Sequence, residues 1–241
     1  MKGCKLPCHS IIYSLLAALS LLGGIASAND GAIPFDATYD VYRNGANIGE
    51  ANFRLQQQNG SWIWDMRTQP RGIYRWLTRK KPFTETRMIP TDQGLRLSQI
   101  SNGDYPEQPP KNSAWFDHDN QAILYSKADG GEPQKLDLPP QIFSFHSVHL
   151  LYAQMKASGQ QSIEIDFYRK GQIYKSTLTL QRDVAMPMSS GETLVDKMAQ
   201  QLEGSDRAMA YYYHGHEVAP VLIEQIKKGE VANAMKRTAI R

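Results

Sequence analysis

Beyond residue 8 the chain has no cysteine: the only two, Cys4 and Cys8, stand ahead of an apolar run from Ile11 to Ile25. Thiolate nucleophiles, cysteine metal ligands and a disulfide framework are therefore excluded for the rest of the molecule. That part must hold together by burying apolar surface, and it is long enough to do so. A lipid-anchored cysteine would follow the run, not precede it. The chain also lacks a Gly-x-Ser-x-Gly elbow, a His-Glu-x-x-His pair and a Gly-rich phosphate loop. It lacks a dominant charge: 27 Lys and Arg face 24 Asp and Glu, and two of the lysines, Lys2 and Lys5, precede the apolar run. A general polyanion-binding surface is excluded, and nucleic acid is not an expected partner. No hydrophobic run reaches the roughly 20 residues of a membrane-spanning helix.

What stands at the start instead is a leader. Lys2 and Lys5 form a basic segment, Ile11 to Ile25 an apolar one, and Ala26-Ser27-Ala28 a small-x-small end. This order is that of a cleaved secretory signal. The expectation is export to the periplasm, with removal of residues 1–28 and a single domain over residues 29–241, beginning with a loose tether at 29–34.

From Phe35 the pattern is alternation. Phe35, Ala37, Tyr39 and Val41 share one face. Ala51, Phe53 and Leu55 do the same, as do Trp62, Trp64 and Met66, then Ile163, Ile165 and Phe167, then Leu178 and Leu180. Period two means strands with one buried face. Asn44-Gly45, Asn59-Gly60, Asn102-Gly103, Lys170-Gly171 and Lys228-Gly229 supply turn signals between the runs. With no helix–strand alternation, the fold class is mainly β: a large curved antiparallel meander, an open or incomplete barrel. One amphipathic helix is expected at 143–157, where Val148, Leu151, Tyr152 and Met155 make an apolar stripe. Ser144 serves as its N-cap and Gly159 stands just past its end. Residues 195–203 have helix propensity, but their place in the meander favours strand.

Candidate chemistry is sparse. On a strand, His214 and His216 would project to one face and could both reach an ion, yet no third ligand is evident. His146 and His149 are spaced i, i+3 on the helix, a spacing that can chelate, but they border its apolar stripe, so packing or partial exposure is the expected role. Asp117-His118-Asp119-Asn120 reads as a hairpin tip. No catalytic residue, metal ligand or cofactor is nominated. The segment 71–81 is the most unusual: Tyr74, Trp76 and Leu77 alternate with Arg75, Arg79, Lys80 and Lys81. It is either a crossover whose aromatics enter the core or a contact with a ligand or an anionic membrane surface. The 12 Tyr, 7 Phe and 4 Trp suit the interior of a wide curved sheet. Where the sheet fails to close on the helix, an apolar pocket results. The expected ligand-binding residues are Tyr74, Trp76, Leu77, Val148, Leu151 and Met155.

The opening Phe35-Asp36-Ala37-Thr38-Tyr39-Asp40-Val41-Tyr42, with Gly45 and Ile48-Gly49-Glu50-Ala51, resembles a bacterial exported family, domain of unknown function 3108. So does the end: Tyr211-Tyr212-Tyr213, Ala219-Pro220-Val221-Leu222-Ile223 and the Gly229 turn. The resemblance implies a periplasmic antiparallel β fold. In outline it is similar to lipoprotein carriers, whose incomplete barrel wraps a helical lid around an apolar cavity, and it tips 195–203 further toward strand. It carries no catalytic residues. The resulting expectation is a non-enzymatic periplasmic protein that binds a hydrophobic or lipidic envelope component or assists envelope assembly. The alternatives are an interaction module for an envelope protein, accessory to an outer-membrane system, and, behind it, a hydrolase. An integral outer-membrane barrel is disfavoured, because the chain closes on Thr238-Ala239-Ile240-Arg241 without a terminal aromatic.

Overall fold

The computed structural model describes residues 33–78, 80–105, 109–188 and 191–241. The expected leader (1–28), most of the tether and Arg79 lie outside these residues.

Fifteen strands form one sheet. In chain order they are β1 (Phe35–Arg43), β2 (Ala46–Gln58), β3 (Ser61–Pro70), β4 (Pro82–Thr91), β5 (Gly94–Asp104), β6 (Asn112–Asp117), β7 (Ala122–Lys127), β8 (Gln134–Asp137), β9 (Ile142–Phe143), β10 (Ser162–Arg169), β11 (Gln172–Met188), β12 (Gly191–Leu202), β13 (Arg207–Tyr213), β14 (Leu222–Lys227) and β15 (Glu230–Ile240). A four-residue helix, α1 (Tyr74–Leu77), sits in the β3–β4 crossover. A 3-10 turn (Ser147–His149) leads into α2 (Leu150–Ser158). Neither helix is long and apolar enough to cross a membrane.

Every sequence neighbour pairs antiparallel from β1 to β8 and from β10 to β15, and β15 joins β1 antiparallel. Only β9 runs parallel, beside β10. The edges β8 and β9 do not pair, so the sheet curls but stays open. Register shifts at Thr38/Tyr39, Arg87/Met88 and Gln181/Val184 mark bulges, which bend strands and increase twist. This is the expected incomplete barrel with one inner helix.

The turn chemistry holds at four of five sites. Asn44-Gly45, Asn59-Gly60, Lys170-Gly171 and Lys228-Gly229 all have two successive positive φ angles, the geometry of tight hairpins. Asn102-Gly103 is the exception and lies inside β5. The Phe83 ring lies over Gly103 so closely that an added Cβ would stand 2.7 Å from it. The glycine there clears space for an aromatic on the neighbouring strand. At 117–120 the turn forms as expected, with the Asp117 carboxylate accepting the Asn120 N–H at 3.0 Å. Residues 195–202 are strand, part of β12, because both neighbours supply full ladders.

The helix is shorter than its expected span. Phe143 belongs to β9, and helical structure starts only at Ser147. The ladder to Phe167 keeps Phe143 extended. The N-cap is His146, without a side-chain cap, so Ser144 does not hold the expected position; instead the Ser144 N–H donates to Ser147 Oγ at 2.8 Å and the Ser147 N–H to Ser144 Oγ at 3.4 Å, which ties the turn ahead of the helix. Gly159 closes the helix at φ 73°, where a residue with Cβ would be strained.

Alternation along a meander fixes which strand ends share a level. The turns after β1, β3, β5, β10, β12 and β14 all lie at one end of the barrel, and those after β2, β4, β6 and β11 at the other. The second end is filled. From β9, level with the middle of β10, the chain turns inward, and α2 runs back toward that end. Lys156 there reaches the Gly215 carbonyl at 2.6 Å. Val148, Leu151, Tyr152 and Met155 are at most 2% exposed.

Candidate functional site

The plugged end and the open end are built from the same strands. On β3, Trp62 and Trp64 face the plug, while Met66 and Thr68, further along the same face, look into a cavity. The cavity volume is about 420 Å³, within the usual range for a small-molecule site. Its floor is Ser144 and Phe145, the turn that introduces the helix. Apolar wall comes from Met66, Ile100, Phe167, Leu202, Met209 and Met235.

The polar wall residues mostly satisfy one another. Thr84 Oγ1 donates to Asn102 Oδ1 at 2.8 Å, and Asn102 Nδ2 to Asn112 Oδ1 at 3.0 Å. Asn233 Nδ2 donates to Gln225 Oε1 at 2.6 Å. Tyr211 OH donates to Gln200 Oε1 at 2.8 Å, and Gln200 Nε2 to Ser176 Oγ at 3.2 Å. These pairings leave the wall with little unmet hydrogen-bonding demand, so an apolar occupant strands few polar groups. Near the rim, Arg169, Lys170 and Arg207 line the opening, and among the described residues no acidic one does. Among the described residues none of the three is in an ion pair.

Beneath the floor the interior is sealed. His146 stacks on one side of the aromatic cluster at Trp64, with 5.6 Å between ring centroids and an interplanar angle of 3°. His149 stacks on Trp64 at 5.2 Å. His146 Nδ1 pairs with Thr86 Oγ1 at 2.8 Å, and His149 Nδ1 with the Tyr213 hydroxyl at 2.7 Å. Both histidines are wholly buried, and burial pushes their pKa values down to about 3, so the rings are neutral. Packing is their role, as expected.

The helix is latched by a charged cluster. Lys156 Nζ lies 2.8 Å from Asp196 Oδ2, and Tyr152 OH lies 2.9 Å from the same carboxylate. Burial pushes the Asp196 carboxyl up, but hydrogen bonds from Lys156 and Tyr152 outweigh it and hold the group below its ordinary value. Tyr152 also stacks on Tyr213 at 3.9 Å.

The sequence-derived ligand residues divide between two places, and neither set lines the cavity. Val148, Leu151 and Met155 lie in closed core. The helix fills its end of the barrel instead of covering a gap, so its apolar stripe has no free surface. Tyr74, Trp76 and Leu77 lie on α1, outside the barrel. Trp76 is 87% exposed and Leu77 71%, so the crossover does not send its tryptophan into the core. His214 and His216 occupy an exposed turn after β13, not a strand, which removes the shared-face geometry. Among the described residues no three His, Cys, Asp or Glu side chains are placed to hold a metal ion.

Reading the sequence for long apolar stripes missed the true wall. Its residues come from the ends of eight strands, a few from each, and the signal that marks them is weak. On β3, β4 and β5 the inward positions change from large apolar to Thr or Asn toward one end, as in Trp62-Trp64-Met66-Thr68 taken on one face.

No family model matches the sequence, and no curated protein matches it. Among solved structures it is similar to the crystal structure of a beta-barrel-like protein of domain of unknown function DUF1849 from Brucella abortus. The TM-score is 0.57 at 12% identity, covering 87% of this chain and 97% of that one. At that identity the likeness concerns the fold.

Proposed function

We propose that this is a non-enzymatic periplasmic protein that holds a lipidic envelope component, an acyl chain with an anionic head. The observation that carries the reading is the open cavity. It has an apolar wall, a closed floor at Phe145, and Arg169, Lys170 and Arg207 at its rim, with no acid lining it among the described residues. A hydrocarbon chain of matching size gains about 25 cal/mol for each Å² it removes from water there. The unpaired cations favour a carboxylate or phosphate at the rim. The periplasmic setting rests on the leader over residues 1–28. Membership of the domain-of-unknown-function 3108 family belongs to the same proposal and rests on the segments at 35–51 and 211–229.

The test is a titration with palmitate and with hexadecanol, which share a chain but differ in the head. Met209→Trp fills the cavity and is expected to abolish binding of both. Arg207→Glu is expected to weaken palmitate about tenfold and leave hexadecanol unchanged. If the unaltered protein binds neither, the reading fails.

A further inference from the structure

The crossover that carries α1 is presented, not packed. Its roots are tied. The Arg71 guanidinium pairs with both Asp40 and Glu50, and the Arg71 N–H donates to the Ile48 carbonyl at 3.1 Å. At the far root the Lys81 carbonyl accepts the Tyr105 N–H at 2.8 Å. Between these points no residue of α1 is buried. Ile73, Trp76 and Leu77 are 68%, 87% and 71% exposed, and Tyr105 at the far root is 49% exposed. An apolar tip on a fixed base has a cost in water that the fold does nothing to relieve.

This tip stands at the mouth end, and the mouth end is the basic end. Arg75 lies on α1 and Lys80 and Lys81 follow it, while Lys170 and Lys228 occupy hairpin turns of the same end and Lys227 closes β14 beside the second. Acidic residues of this end, such as Asp129, Glu132, Asp206 and Glu230, are fewer. The turns at the plugged end reverse the sign: they hold Asp92, Asp119 and Glu217 and, among the described residues, no lysine or arginine. The turns of the mouth end thus carry the excess of positive charge, while the plugged end offsets its acids with its own cations, Arg237 beside Glu217 and Lys156 beside Asp196.

Two of these charges are kept against backbone preference. Lys170 and Lys228 have φ of 49° and 53°, where asparagine is the favoured residue that carries a side chain. The same chain uses asparagine at the matching position in its other two tight turns, Asn44 and Asn59.

From these observations we infer that the mouth end docks on a bilayer surface rich in anionic phospholipid, with Ile73, Trp76 and Leu77 entering the headgroup boundary. Tryptophan is at home at that depth, and each cation near such a surface adds about 1 kcal/mol, or about fivefold in affinity. Docking in this pose sets the cavity opening against the membrane, so a chain passes between bilayer and barrel without crossing water. The docking itself does not depend on the cavity being occupied.

The test is sedimentation of the processed chain with vesicles of phosphatidylcholine alone or with phosphatidylglycerol added. Expected is binding to the anionic vesicles only, weakened by salt. Trp76→Ala with Leu77→Ala should reduce it at least tenfold. Lys170→Asn with Lys228→Asn should reduce it about twenty-fivefold in a chain that folds at least as well. Met209→Trp separates the two proposals: it should bind vesicles normally while losing palmitate. Equal binding to both vesicle types, or binding untouched by the α1 and lysine variants, overturns the inference. No vesicle binding also overturns it.

Discussion

Trp64 and Met66 are two residues apart on β3 and face the same way. Trp64 is fully buried against His146 and His149, yet Met66 looks into open space. The two ends of the barrel differ because one receives a helix and the other does not. At the plugged end, burial is so complete that Trp64 Nε1, His146 Nε2 and His149 Nε2 have no hydrogen-bond partner among the described residues. At the mouth end, polar side chains pair across the wall and space is left over. Stability is therefore concentrated below the floor at Phe145, and capacity for a ligand above it.

The contrast is broken most severely at its centre. Trp64→Ala should cost about 3–5 kcal/mol, because the helix and both histidine rings lose the surface they pack on. Met66→Ala, on the same strand, should cost about 1 kcal/mol or less, since it enlarges a space that already exists. Thermal or urea unfolding of the two variants compares them directly. Equal losses would mean that the mouth end is as much a part of the stabilising core as the plug.

Acid attacks the same end. The folded chain keeps His146 and His149 neutral down to about pH 3, whereas the unfolded chain protonates them near pH 6.5. Between those values the unfolded state binds more protons. The contribution is thus fully present above pH 6.5 and lost as pH falls toward 3, at about 1.4 kcal/mol per unit for each ring. By pH 5.5 the loss is about 3 kcal/mol. Urea midpoints measured from pH 7.5 to 5 should show this slope, and His146→Leu with His149→Leu should flatten it even though the variant is less stable overall. Asp196 acts in the same direction at lower pH. Its folded pKa lies below the ordinary value, so its contribution holds above about pH 4 and disappears below.

The sequence carried the plugged end well and the mouth end poorly, for a physical reason. Alternation reports burial, and the buried face of β1, β3, β10 and β11 could be read from it. The stripe Val148, Leu151, Tyr152 and Met155 was legible because a helix that fills a barrel must be apolar at helical spacing. It was misread as the wall of a pocket because periodicity shows that a face is covered, not what covers it. The helix start was misplaced at Phe143 because a two-residue parallel ladder leaves no period to detect. The cavity wall was legible only in part: Met66 and Phe167 fall on alternating apolar faces, but alternation does not set them apart from closed core. The wall is an interior region where alternation continues while the buried residues become Thr, Asn and Gln, and such positions look like the solvent face of an ordinary sheet. The crossover at 71–81 was found by composition, but only the structure separates its exposed Trp76 from a core tryptophan.

The latch tests how far the plug depends on its outer fastening. Asp196→Asn removes the charge that Lys156 and Tyr152 share, and the expected cost is about 2 kcal/mol, that of hydrogen bonds to a charged group. Lys156 is partly exposed and turns to water, which limits the loss. Hydrogen exchange should locate the effect: the amides of Leu150–Ser158 lose protection while those of β1 and β2 keep it. Uniform loss would make the helix and sheet one cooperative unit.

The smallest expected effect has the opposite sign. Lys170→Asn and Lys228→Asn place the favoured residue at φ near 50°, and each should raise stability by a few tenths of a kcal/mol to about 1 kcal/mol. The same changes are expected to weaken attachment to anionic vesicles. A gain in unfolding free energy together with a loss of binding is an outcome that a merely structural role for these lysines does not produce, because a residue kept for the fold would not stabilise the fold by leaving. If instead the asparagine variants are less stable, the lysine stems contribute packing at the mouth, and the turn positions lose their value as a sign of function.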